Sequence, residues 1–410
     1  MTDRLDHLFV DVKQLVLGMV QSVLPNNWDP HIAALLSALL SCIGILLFAP
    51  LTMMYLTWLE RKVVARMQDR IGPNRVGPFG VLQPIADGIK MILKEDIVPT
   101  GADRLVHFLA PVLAVAPVLS LFLVLPFGRD MIAADLNVGI LFFLAVSSIQ
   151  TPMVIAAGWG AHSKYSVLGA MRTAATILSY EIPMVVVLIP VVMMTGTMSV
   201  GAIVEAQASG WFGFTPWGAA SMVVFLLGIT AESNRTPFDM GEAESELVAG
   251  FHTEYSGFKF ALFQMAEFLS AFAAGGLIAA LYLGGWRGPE AYLPEALRPL
   301  TAWVPSWVWF QLKMYAIFFV LIWFRGTLPR FRIDQLLAIA WKFLFPFTLL
   351  VILAAAAWYW LVVAEGGPHS LLQGWGINMV LLVGGWAVLS VILDREFVRA
   401  NRPKVWSHAS

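Results

Sequence analysis

With 410 residues, 59% of them apolar and only 13% charged, the chain is too hydrophobic for the two or three soluble domains its length would allow, since soluble chains carry roughly 25% charge. Its formal net charge of −1 is spread unevenly, and no nucleic-acid partner is expected. A single cysteine, Cys42, excludes an internal disulfide, an all-cysteine iron–sulfur ligand set and a four-cysteine zinc knuckle, so any electron carrier must sit on a partner.

The first expected element is an N-terminal interfacial helix within residues 1–30. Leu5, Leu8, Phe9, Val12, Leu15 and Val16 recur at helical spacing among Asp3, Arg4, Asp6, Asp11 and Lys13. Those charges interrupt any signal-peptide core, and Pro25-Asn26-Asn27 forms a turn without a small-residue cleavage site. Nine runs of about 20 mostly apolar residues follow, the length needed to cross hydrocarbon as a helix. They cover 31–59, 107–127, 138–160, 167–195, 218–236, 258–284, 303–324, 335–363 and 374–393. The fold class is therefore all-α, a polytopic transmembrane helix bundle with interfacial amphipathic helices. One membrane domain spans 31–394, interrupted by loops 60–106 and 232–257 and followed by a tail at 395–410. Alternating the spans places twenty of the 26 Lys and Arg on one side, so the N-terminus is expected outside and the tail in the cytoplasm. Trp286, Trp303, Trp307, Trp309 and Trp375 near span ends read as interfacial anchors.

The first cytoplasmic loop opens on Glu60-Arg61-Lys62 and runs through Arg66, Arg70 and Gly72-Pro73 to Gly77-Pro78 and Gly80, where a continued helix is forbidden. Its near balance of eight basic and six acidic residues favours a structured loop over a lipid-binding polybasic segment. From Pro84 to Glu95, Ile85, Ile89 and Ile92 share one face, opposite Asp87, Lys90 and Lys94, which predicts a short interfacial helix.

After the fifth span, residues 232–257 hold six carboxylates against Arg235 and Lys259. Asp239, Glu242, Glu244 and Glu246 fall so close together that they should titrate jointly, and on a helix Asp239, Glu242 and Glu246 would share a face. The bland alternative is a solvated acidic loop. Acids inside the spans weigh against it. Glu181, Glu232 and Glu267 each cost on the order of 2.5–3.5 kcal/mol or more if ionised at mid-membrane depth. Pro183 frees the carbonyl of Ser179 and so predicts a kink beside Glu181. A protonated Glu bonded to a neighbouring helix would explain any one of them, but the set reads as a hydrated carboxylate track. The seven His include no pair four residues apart, and no Walker A or GxGxxG run is present, so haem, zinc, ATP and NADH sites are not expected here.

Several blocks are familiar. Glu60-Arg61-Lys62, Arg70-Ile71-Gly72-Pro73-Asn74-Arg75-Val76-Gly77, Gln83-Pro84-Ile85-Ala86-Asp87-Gly88-Ile89-Lys90 and Ala134-Asp135-Leu136-Asn137-Val138-Gly139 come first. Gly169-Ala170-Met171-Arg172, Ser179-Tyr180-Glu181, the 232–257 segment and Leu328-Pro329-Arg330-Phe331-Arg332 follow in order. Together they resemble the H-type membrane subunit family of proton-pumping NADH:quinone oxidoreductase, respiratory complex I, over roughly residues 31–365. The resemblance implies a non-autonomous subunit joining a membrane arm to a peripheral arm that carries FMN and iron–sulfur clusters, with quinone as substrate and no cofactor held by this chain. It implies a quinone tunnel drawing on Glu60, Arg61, Arg66, Arg70, Asp239, Glu242, Glu244, Glu246, Phe251 and Arg330. It also implies a proton relay of Glu181, Glu232, Glu254 and Glu267. Partners would be the peripheral quinone-site and iron–sulfur subunits, other membrane-arm subunits and lipid, in a bacterial inner membrane. The N-terminal segment and the ninth span depart from shorter members of that family. A self-contained proton- or sodium-coupled secondary transporter, or the membrane subunit of an energy-converting hydrogenase, are the rival readings.

Overall fold

Long uncharged runs can satisfy their backbone in hydrocarbon only as helices, and helices are what these runs form. The computed structural model describes residues 6, 10–16, 30–241, 248–292, 294, 303–364 and 368–400, and the regular structure among them is helical throughout. Eight of the described helices are long and apolar enough to cross a membrane, and Pro216–Glu232 is a ninth, shorter apolar helix.

Helix α1 (Pro30–Met67) does not stop where the charges begin but carries Glu60, Arg61 and Arg66 on its last two turns. The chain then folds back at Gly72, where a side chain would come within 3.1 Å of the Arg61 carbonyl. A second tight turn needs Gly80 at φ +79°, since an added Cβ would lie 2.2 Å from the Pro73 carbonyl oxygen. The expected interfacial helix is present as α2 (Gln83–Leu93), with Ile85, Ile89 and Ile92 exposed on its apolar side.

The next spans are α3 (Arg104–Leu121), the consecutive pair α4 (Gly139–Ser147) and α5 (Gln150–Gly160), and the pair α6 (Lys164–Val186) and α7 (Ile189–Thr195). α6 runs through Pro183, and the helix breaks at Val187–Leu188, just before Pro190. The Val187 carbonyl exposed there accepts a hydrogen bond from Ser221 Oγ at 2.8 Å. A short α8 (Val200–Ala206) leads to α9 (Pro216–Glu232). α9 ends four residues before the expected limit of 236, because Asn234 turns left-handed at φ +48° and Pro237, which lacks an N–H, follows.

α10 (Gly257–Tyr282) is the central helix, buried at nearly every position from Phe268 to Tyr282. Its Ala and Gly residues bring neighbours close: a Cβ at Gly276 would meet Leu125, just beyond α3, and Met314 at 3.0 Å. Beyond it, α11 (Ser306–Thr327) packs alongside and supplies Lys313, whose ammonium donates to the carbonyls of Leu283, Gly285 and Arg287. Three acceptors at the carbonyl end of α10 explain how a lysine sits inside a span. Trp286 is buried in this turn and is not an anchor at the membrane surface.

α12 (Ile333–Ala338), a π turn at Ile339–Leu344, α13 (Phe345–Trp358) and a second π turn at Tyr359–Ala364 make one continuous span. Pro346 lacks the N–H that would bond the Lys342 carbonyl, which fits the first π turn. α14 (Pro368–Ala400) closes the bundle and leaves Leu372, Val380, Val383 and Trp386 exposed, as a lipid-facing helix would. In the N-terminal segment, Lys13 Nζ donates to Ser41 Oγ of α1 at 2.8 Å, and Asp6 accepts from the Ser306 amide.

Candidate functional site

Glu60 is 5% exposed near the C-terminal end of α1 and needs a cation. It has two. Arg235 Nη1, on a side chain 6% exposed, donates to Glu60 Oε2 at 2.8 Å, and Arg325 Nη1 donates to Oε1. Each element is placed for this. The turn after α9 starts with Ser233 Oγ donating back to the Ile229 carbonyl and continues with the Arg235 amide donating to the Thr230 carbonyl. Gly326, next to Arg325, lets α11 approach α1, since a Cβ there would lie 2.4 Å from Met67 Sδ. The Arg235 guanidinium also sits over Phe268 of α10 and Phe318 of α11, 4.6 and 5.0 Å from the ring centroids.

A cavity of about 70 Å³ adjoins this triad, lined by Ser233, Asn234, Arg235, Asp239, Glu267 and Arg325 among others. Gln264 Nε2 donates to Glu267 Oε2 at 3.4 Å, and Arg330 Nη2 donates to Asp239 Oδ2 at 2.9 Å. Arg235 Nε and Asn234 Nδ2 are buried without a protein acceptor. Such groups are normally satisfied by water, and this space admits a few molecules.

Other acids lie nearby along the chain. Glu232 is the last residue of α9, near Ser147 at the end of α4 and within electrostatic reach of Glu181 on α6. Glu254 is half-buried, and its carbonyl faces His107 Nε2 at 3.4 Å. The three arginines after Glu60 are not part of the cavity. Arg61 Nη1 pairs with Asp87 of α2 at 2.6 Å, Arg66 is exposed, and Arg70 Nε donates to Gln68 Oε1. Partial burial raises the Asp87 pKa, but the Arg61 hydrogen bond and charge, then Gln83 and Lys90, outweigh it and hold the carboxyl below the ordinary aspartate range.

Phe251, expected at the tunnel wall, is 1% exposed, packed edge-on to Phe263 and His252, and does not line this cavity. Burial pushes the neighbouring His252 down to about 4, so it is neutral at physiological pH. Asp239 lies in an irregular turn, not on a helix shared with the following acids. Glu242, Glu244 and Glu246 lie outside the described residues. Arg235 and Arg325 escaped the sequence reading because each was counted only as a loop charge. The signal was Glu60 itself, a helical carboxylate that burial obliges to find cations. Among the described residues no three His, Cys, Asp or Glu side chains gather as a metal site.

A larger cavity, about 450 Å³, opens at the opposite end of the bundle and is lined by Arg129, Asp130, Asp135, Glu205, Trp286 and Arg287. Of the acids in the motif blocks only Asp135 reaches it, and none of the expected relay acids does. The smaller cavity adjoins the buried Glu60–Arg235 pair, which the larger one does not, and is therefore the stronger site.

A family model described as NADH dehydrogenase matches residues 40–356. The H-type subunit of the NADH-quinone oxidoreductase of Dehalococcoides mccartyi is 47% identical over 337 residues, covering 82% of this chain and 90% of that one. Its counterpart in Geobacillus kaustophilus is 49% identical over 304 residues, or 73% and 88% of the two chains. That of Rhodospirillum rubrum is 43% identical over 329 residues, 80% and 96%. The matched span runs from α1 to α13 and contains the Glu60 triad, the cavity and the acids along α6, α9 and α10, so the chain belongs to the NADH dehydrogenase family.

Proposed function

We propose that the chain is a membrane subunit of a proton-translocating NADH:quinone oxidoreductase, where it forms part of the quinone path and couples quinone reduction to proton movement through its buried acids. The observation that carries this reading is the Glu60–Arg235–Arg325 cluster, set against a polar cavity that Glu267 and Asp239 also line. Reducing a quinone consumes two electrons and two protons, so charge develops where the quinone sits. A buried cluster with few waters feels that change more strongly than a solvated one would. Glu60 and the Asp239–Arg330 pair stand on the side of the exposed Arg61, Arg66 and Arg70, which would form the polar wall toward a peripheral partner. Glu267, Glu254, Glu232 and Glu181 make up the relay. The cavity has room for water, and a partner subunit would complete the quinone path. FMN and iron–sulfur clusters would reside on such partners, in a bacterial inner membrane, with the N-terminus periplasmic and the C-terminus cytoplasmic. A self-contained transporter is disfavoured, because the relatives are named as subunits of an oxidoreductase.

The experiment is Glu181→Gln in the intact complex, reading proton translocation and quinone reduction together. The expected result is normal assembly with depressed pumping. Wild-type coupling with Glu181→Gln, and again with Glu232→Gln, would remove the relay from the reading.

A further inference from the structure

His107 sits in the first turn of α3, is 1% exposed, and has no part in the function proposed above. Its two ring nitrogens meet partners of opposite kind. Lys259 Nζ lies 3.4 Å from Nδ1, and the Glu254 backbone oxygen lies 3.4 Å from Nε2. An ammonium can only donate and a carbonyl can only accept, so Nδ1 must accept and Nε2 must carry the hydrogen. The ring therefore holds the neutral, Nε2-protonated tautomer. It is also stacked on Tyr255, with centroids 4.1 Å apart and planes 7° from parallel, while the Tyr255 hydroxyl donates to the Ala157 carbonyl of α5.

The chain of contacts continues outward. Lys259 pairs with Asp96 at 2.7 Å, on the loop that leaves α2, and the Asp96 side chain is 49% exposed. Ser256 braces the same two segments, donating to the Glu95 carbonyl and accepting from the Ile97 amide. Asp96, Lys259, His107 and the Glu254 carbonyl thus form one polar chain from the surface into the bundle. It crosses the point where the acidic segment enters α10.

We propose that His107 is a positioning residue for Glu254: bridging Lys259 and the Glu254 carbonyl with one acceptor and one donor, it sets how the acidic segment is presented to the bundle. The proposal rests on the reading of Glu254 as a relay acid. Its chemistry singles out one substitute. Glutamine carries an acceptor and a donor on one side chain and can replace both bonds, whereas phenylalanine can replace only the stack.

The test compares His107→Gln and His107→Phe in the assembled complex, with quinone-linked proton pumping and amide hydrogen exchange across residues 248–260 as readouts. The expected result is near wild-type pumping and exchange for His107→Gln. His107→Phe should show faster exchange and pumping lowered about 10-fold, within the range that a displacement of about 1 Å can cost. Retention in Phe with loss in Gln would make His107 a packing residue. Loss in both would make it a proton carrier, and retention in both would leave it no role; each result overturns the proposal. Glu254→Gln serves as the control. If it pumps normally while the exchange pattern holds, the relay reading fails and the positioning of the segment stands.

Discussion

Replacing Arg235 with methionine strands the buried Glu60 carboxylate with one remaining cation. Removing one member of a buried pair costs ~3–5 kcal/mol. The lower end applies here, because the Arg325 side chain, 50% exposed, stays in place and admits solvent. Methionine refills the space over Phe268 and Phe318 and keeps sulfur–aromatic contact, so the lost cation–π interaction adds little. Borne by the folded state, ~3 kcal/mol shortens the half-life of the assembled subunit by ~100-fold. Adding Glu60→Gln to Arg235→Met removes the stranded charge and should restore most of that loss, leaving a residual cost of ~1 kcal/mol. The assay is the rate at which the complex sheds this subunit in detergent at fixed temperature, read on native gels for the two single variants and the double. Half-lives that multiply independently, with the double worse than either single, would refute the triad as one coupled unit.

Gly169→Ala places a Cβ 2.7 Å from the Gly250 Cα, where neither backbone can yield cheaply; the subunit should fail to accumulate or lose assembly at moderate temperature, checked by its level in the purified complex. Asp87→Asn removes a largely solvated pair with Arg61 and should cost no more than ~1 kcal/mol near pH 7. Because folding lowers the Asp87 pKa, that contribution is present above the unfolded value and fades as pH drops through the folded one, so wild type and variant should converge in acid. His252 shifts the balance with the same sign of pH dependence. Its folded value of about 4 means the unfolded chain binds the extra proton first, so wild type should lose on the order of 3 kcal/mol between pH 6.5 and 4. His252→Phe, which keeps the edge contacts to Phe251 and Phe260, should flatten that part of a pH–stability profile; an unchanged slope would contradict it.

The spans were legible because hydrophobic run length alone decides them, and the interfacial helix because isoleucine spacing in Gln83–Leu93 is unambiguous. Their ends were not. α1 continues through Glu60 and Arg61 because a charge does not end a helix; the backbone ends it after Met67, where Asp69 turns left-handed at φ +52° and the Arg70 amide donates to the Ala65 carbonyl. α9 stops at Glu232 through the geometry of Asn234 and Pro237, which hydropathy does not register. The candidate site divided in the same way. Glu267 and Asp239 are legible from residue type, as a carboxylate within a span and one of a crowded acidic run, whereas Glu60 and Arg330 are legible only through the family resemblance. Their partners Arg235 and Arg325 are separated from Glu60 by 175 and 265 positions, and no local pattern pairs residues so distant.

Phe251 is legible only through the family resemblance, and close contact between Gly250 and α6 holds it in the core beside Phe263. His107 had no sequence signal at all. Its role depends on a lysine in the first turn of α10 and a carbonyl five residues before that lysine. Both tie α3 to the chain that follows the acidic stretch, so disturbing Asp96 at the surface and disturbing Glu254 inside should be coupled. A double-mutant cycle of Asp96→Asn with His107→Phe, read by exchange at residues 248–260, should deviate from additivity by ~0.5 kcal/mol or more. Strict additivity would mean the contacts are adjacent but energetically independent, and the acidic segment is then held by the Tyr255 and Phe263 packing alone.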